Sequence, residues 1–248
     1  MITVRFTTPT SAAREDVFQR AAARWNGLID TSLATEVVEG EQLSGVLIEA
    51  SLAPVDGPAG VLGQAGPTVL RPGSGLPAKG VMQFDDADVS RLEQEGGFAD
   101  VILHEMAHVL GFGTLWVRQG LIQNSGTNNP QFIGQGAAQE YGQLVGQQGS
   151  VPVPIANTGG PGTREGHWRE LVFGDELLTG FLSGTNRPIS RLSLASFADM
   201  GYSVNIEAAD DYVLPSFLRL AEMGITEAVR ICDLCRVDRP EPVLLDSR

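Results

Sequence analysis

At its start the chain changes period from two to about four. Residues 2–6 (ITVRF) alternate apolar and polar positions and are mostly β-branched or aromatic, which predicts a strand. Val17, Ala21 and Trp25 then recur at every fourth position with Phe18 and Ala22 beside them. They form the apolar stripe of a helix over 12–28 that Ser11 can cap. A second strand is expected near 44–52 (SGVLIEASL). Residues 53–80 hold seven glycines and five prolines in 28 positions, which predicts a long loop without regular structure. A short strand at 80–84 (GVMQF) follows and closes on the acidic turn Asp85, Asp86, Asp88. The next helix spans Ser90 to Leu110. Ile102, Leu103, Met106, Val109 and Leu110 make its second half apolar enough to be buried, whereas Gly96 and Gly97 weaken its first half. Gly111 is placed to end it.

Residues 117–166 are rich in Gly, Gln and Asn, with one short helix near 136–145. A compact helix around 190–200 stops at Gly201, the tail from Tyr212 to Ile231 reads as two short helices split near Gly224, and the last dozen residues look loose. Strands gather before residue 90 and helices after it, the signature of an α+β fold. With no internal repeat and no convincing linker, the expectation is one domain over 1–248, with an N-terminal lobe at 1–111 and a C-terminal lobe at 112–248.

Composition narrows the function. With 248 residues, 42% of them hydrophobic and 19% charged, the chain can bury a sizeable core. A net charge of −13, a single lysine (Lys79) and no basic run argue against a nucleic-acid partner, because phosphate contacts need clustered Lys and Arg. No run of 18 apolar residues predicts a membrane span. The opening MITVRFTTPT lacks a basic start and an apolar core, so no signal peptide is expected in this chain. Cys232 and Cys235 form a C-x-x-C with no second pair and no spare histidine, and read as a local disulfide or two free thiols. Asp85, Asp86 and Asp88 lack a full calcium loop and read as a helix-capping turn.

Three histidines carry the candidate chemistry. His104-Glu105-Met106-Ala107-His108 is an H-E-x-x-H motif on a predicted helix. Four residues turn a helix by about 400°, so His104 and His108 project from nearly one face and can grip one metal ion. Glu105 points about 100° away, near enough to reach a water on that ion without being a ligand. A catalytic zinc site takes three protein ligands and keeps a fourth position open. The one remaining histidine, His167, stands in a glycine-rich segment able to fold back, and Gly111 lets the chain turn sharply after the helix.

The runs HEMAHVLGFGTLW (104–116), GGPGTREGHW (159–168), FGDELLTG (173–180) and RPISRLSLASFADMGYSVN (187–205) resemble the leishmanolysin-type peptidases, especially their short bacterial relatives. GPAGVLGQAGPTVLR and KGVMQFDDAD upstream share the resemblance, which covers roughly 55–212 in the right order. It implies a metzincin-like zincin, with an N-terminal twisted sheet and active-site helix, an irregular or helical C-terminal lobe, and the cleft between them. It also implies one Zn2+ per chain held by His104, His108 and His167, Glu105 as general base, and a peptide or protein substrate paired along the 80–84 strand. Such proteins are commonly exported or surface-bound, yet without a signal peptide a cytoplasmic location stays open, as does the oligomeric state.

One departure stands out. Where that group usually shows D-E-L-M, with the methionine packed beneath the metal, this chain has Asp175-Glu176-Leu177-Leu178. Leucine is close in volume and is expected to be tolerated. Met200 reads as part of a helix end instead of a substitute, and Trp116 and Trp168 read as core. The reading of a different class is a metzincin-like binding or adhesion module, with zinc structural or absent.

Overall fold

The structure, a computed structural model, describes residues 1–54, 63–160, 162–182, 186–216, 219–220, 229–230 and 241–246. A mixed sheet forms from β1 (Ile2–Phe6), β2 (Val46–Ala53), β3 (Gly63–Leu70), β4 (Pro77–Asp85) and β5 (Val243–Leu244), in the order β1-β2-β4-β3-β5. β1, β2 and β4 run parallel, with Ile2 opposite Val46 and Leu47 opposite Lys79, while β3 is antiparallel to β4, with Gly63 opposite Phe84.

Helix α1 (Ala12–Leu28) has the expected bounds, and its Ser11 cap accepts the Arg14 N–H at 3.3 Å. The stripe predicted for it turns inward through Phe18, Ala21, Ala22 and Trp25. Phe18 makes edge-on contacts with Phe6, Phe84 and Phe98, which ties helix to sheet. The Trp25 indole donates to the Leu103 carbonyl at 2.9 Å, which ties α1 to the helix that carries His104 and His108.

The expected helix from Ser90 to Leu110 is two helices, α2 (Asp86–Glu95) and α3 (Phe98–Val109). Gly96 takes a left-handed conformation (φ 76°), and the Gly97 N–H returns to the Leu92 carbonyl at 3.0 Å, so the glycine pair ends one helix and starts another. Asp85 caps α2 by accepting the Ala87 N–H at 2.9 Å, the structural role expected of that acidic turn. α3 is apolar on nearly every side and lies in the core, as a helix of that composition must.

Three further expectations are corrected. The glycine- and proline-rich stretch is not all loop, since β3 and the start of β4 lie within it. Pro67 has no N–H to give, and the pairing of β3 with β4 slips between Pro67 and Val69, the irregularity that lets a proline sit in an outer strand. The 80–84 strand, lengthened to β4, is internal, flanked by β2 and β3, so it cannot be the edge that receives a substrate. Among the described residues, the outer side of β3 is paired only at Val69 and Leu70, by β5. In the tail, Tyr212 to Ser216 are not helical although Arg219 and Leu220 are, and Val229–Arg230 pair with Phe181–Leu182 as strands. Val243 and Leu244 join the sheet, so the end is not wholly loose. Cys232, Cys235 and Gly224 lie outside the described residues.

Beyond α3 the chain is irregular, with α4 (Gln135–Leu144), the single turn α5 (Glu170–Phe173) and α6 (Arg191–Asp199). Six α-helices are thus present among the described residues, and the fold is mixed α+β. One continuous apolar core runs from Ile2 through α3 to Tyr202. Trp116 and Trp168 are both fully buried in it, with ring centroids 5.2 Å apart. Among the described residues no helix is long and apolar enough to cross a membrane.

Candidate metal centre

The end of α3 is shaped by two glycines. Gly111 (φ 113°) turns the chain so that the Phe112 N–H reaches the Ala107 carbonyl at 3.0 Å, and the Phe112 carbonyl comes back to His108. Gly113 (φ 68°) lies against the segment that carries His167, where a Cβ would stand 2.1 Å from the Gly166 carbonyl oxygen. Loose carbonyls at the helix end are taken up by side chains. The Thr114 hydroxyl donates to His108 O at 2.8 Å, and the Tyr202 hydroxyl donates to Leu110 O at 2.9 Å.

This turn brings the three histidines together. Their Nε2 atoms form a triangle with sides of 3.1 Å (His104 to His167), 3.0 Å (His104 to His108) and 2.9 Å (His108 to His167). Each ring holds a backbone carbonyl at its other nitrogen. His104 Nδ1 lies 2.7 Å from Leu177 O, His108 Nδ1 lies 2.9 Å from Phe112 O, and His167 Nδ1 lies 3.0 Å from Thr163 O. A carbonyl only accepts, so these contacts assign the proton to Nδ1 in every ring. The three Nε2 atoms, each an acceptor in that tautomer, then converge in one buried site, where a cation could take all three lone pairs. Carbonyl-backed imidazoles with converging lone pairs are what a metal ion requires, and the three residues could hold one. All three imidazoles and Glu105 are at most 1% exposed.

The 173–180 segment lies against this triangle. Leu177 supplies the carbonyl for His104, and the Trp168 N–H, next to His167, donates to Leu178 O at 3.0 Å. Leu178 is fully buried in the core. Met200 follows the last residue of α6, the helix end expected of it, with its sulfur 3.6 Å from where a Gly111 Cβ would stand.

The sequence reading missed Glu176, which is 1% exposed. Its Oε1 accepts the Ser190 N–H (3.1 Å), the Ser190 hydroxyl (2.7 Å) and the Ser193 hydroxyl, while Oε2 accepts the Leu178 N–H at 2.6 Å. Burial pushes this carboxyl above its ordinary range, and the four donors pull against that shift. The acid pair Asp175-Glu176 inside FGDELLTG was the available signal. Its partners are serines at the start of α6 and were invisible in sequence.

Gly113→Ala is expected to push the 163–167 segment off the helix end, through the clash with Gly166 and the left-handed strain. Metal affinity should fall by about tenfold or more. A divalent-metal titration followed by thermal unfolding checks this; unchanged affinity would mean that the segment moves without disturbing His167.

Residues 46–215, more than two thirds of the chain, match the family model described as leishmanolysin. No curated protein matches the chain.

Proposed function

The chain belongs to the leishmanolysin family of peptidases, and from that premise we propose that it is a zinc-dependent endopeptidase acting on peptides or proteins. His104, His108 and His167 would hold one zinc ion, and Glu105 would serve as general base. The observation that carries this reading is the triangle of Nε2 atoms, each ring backed by a carbonyl. Zinc binds imidazole nitrogen at about 2.0–2.1 Å in tetrahedral sites, which sets three such nitrogens about 3.3 Å apart. The observed 2.9–3.1 Å is slightly tighter, and a small outward shift of the rings would admit the ion.

Zinc, when bound, supplies Lewis acidity and lowers the pKa of water to near 7. The chain's own residues supply the rest. Glu105 adjoins His104 on α3 and would take the proton of the attacking water, then pass it to the leaving amine nitrogen. The extended substrate would lie along the outer side of β3, the antiparallel strand, not along the 80–84 strand. Pro67 has no N–H, so pairing there would rest on residues 63–66. The two lobes, meeting just after Gly111, would form one catalytic unit of the metzincin type, with the cleft between them.

Incubation of the zinc-loaded chain with a mixed peptide library tests the proposal. Internal bonds should be cut, cutting should stop with a zinc chelator, and it should return when zinc is restored. Chelator-insensitive cleavage would sink it. So would a chain that takes up one zinc and cuts nothing, an outcome that favours the binding-module reading.

A further inference from the structure

The buried Glu176 carboxylate joins the parts of the structure that hold two of the three histidines. On one oxygen it takes the Leu178 N–H at 2.6 Å, which fixes the turn containing Leu177, and the Leu177 carbonyl takes the His104 Nδ1 proton at 2.7 Å. On the other oxygen it takes the Ser193 hydroxyl, and the oxygen of that hydroxyl accepts the Trp168 indole N–H at 2.8 Å. Trp168 follows His167 directly, and its backbone N–H donates to Leu178 O at 3.0 Å, in the same turn. Two bonds from Ser190, the residue that caps α6, anchor the carboxylate to that helix. The acceptor capacity of an ionised carboxylate is about four sites, and four donors meet it here. A neutral amide in the same place would have to turn its N–H2 toward a group that already donates.

We propose that Glu176 is a positioning residue for the metal centre: its four hydrogen bonds lock the 176–178 turn and Trp168 together, and so hold His104 and His167 at the spacing that the ion needs. The inference rests on the metal-centre reading above and deepens it. Glu176 touches neither ion nor substrate; it acts through Leu177 and Trp168. His108 has its carbonyl partner from Phe112, at its own helix end, whose ring packs edge-on against Trp168 with centroids 5.1 Å apart.

The test compares wild type, Glu176→Gln and Ser193→Ala by zinc titration against a chromophoric chelator and by the visible spectrum of the cobalt(II)-loaded chains. Glu176→Gln is expected to bind zinc about tenfold more weakly and to give a cobalt band of altered position or intensity. Ser193→Ala, which cuts the Trp168 branch alone, is expected to shift both in the same direction by a smaller factor of about three. Folded variants with lowered Tm, zinc affinity within twofold of wild type and superimposable cobalt spectra would overturn the inference, making Glu176 a structural residue only. If Glu176→Gln does not fold, Ser193→Ala decides the matter by the same two readouts. Failure of the peptidase reading looks different: wild type then takes up zinc and cuts no peptide, while the affinity differences persist. A wild-type chain that binds no zinc removes both.

Discussion

Replacing Glu105 by alanine is expected to lower kcat/KM for peptide cleavage by a factor of about 10²–10⁴, the usual share of a general acid–base group, while the chain keeps one zinc. Glu105 shares α3 with His104 and His108 but is one residue off their common face, so its loss removes a proton acceptor and no ligand. Glu105→Gln keeps the shape without the base and should be nearly as inactive. Kinetics on an internally quenched peptide, with metal analysis of the same samples, give the answer. A loss under tenfold would mean that another group takes the proton, and loss of the zinc would mean that Glu105 helps to hold the metal.

What the sequence made legible has a common cause, which is that its signals were local. The stripe of α1, its Ser11 cap and the glycine after α6 each depend on residues within a turn or two of one another. The H-E-x-x-H pair is local as well, and the scarcity of histidine allowed His167 to be matched to it across 59 positions. Misreadings arose where non-local pairing outweighed composition. β3 contains Gly63, Gly66 and Pro67, poor strand formers, yet ladder bonds to β4 organise it. The place of the 80–84 strand within the sheet depended on where β3 lies, and no periodicity encodes strand order. A two-glycine interruption was read as a weakness inside one helix, although a left-handed Gly96 makes it a boundary. Val229 and Arg230 read as helix because their strand partners, Phe181 and Leu182, stand far away in sequence. Glu176 belongs with these. Its partners are Ser190 and Ser193, and only the tertiary fold brings α6 to the turn that backs His104.

His167→Ala separates a bound metal from a mere cluster of histidines, because it should remove most of the Tm rise that zinc brings. In the wild-type chain a ligand that binds only the folded state adds RT ln(1 + [L]/Kd), about 2.7 kcal/mol at a hundredfold excess over Kd. For a domain of this size each kcal/mol moves Tm by about 2–4 °C, so zinc should raise Tm by about 5–11 °C. Removing one of three ligands is expected to weaken binding by about 100-fold or more. At the same zinc concentration the residual stabilisation is then about 0.4 kcal/mol, a shift of only about 1–2 °C. Without zinc the balance differs. Wild type crowds three Nε2 atoms at 2.9–3.1 Å, and deleting one ring relieves that crowding. Against this stands the loss of the His167 bond to Thr163 O, worth about 1 kcal/mol. Whatever the sum of these terms, the variant should keep only a small zinc-dependent rise in Tm, while that of wild type is large. Thermal unfolding of both chains, each with and without zinc, reads this directly. An equal zinc-dependent rise in the variant would show that His167 is not a ligand, and that His104 and His108 hold the metal with some other group.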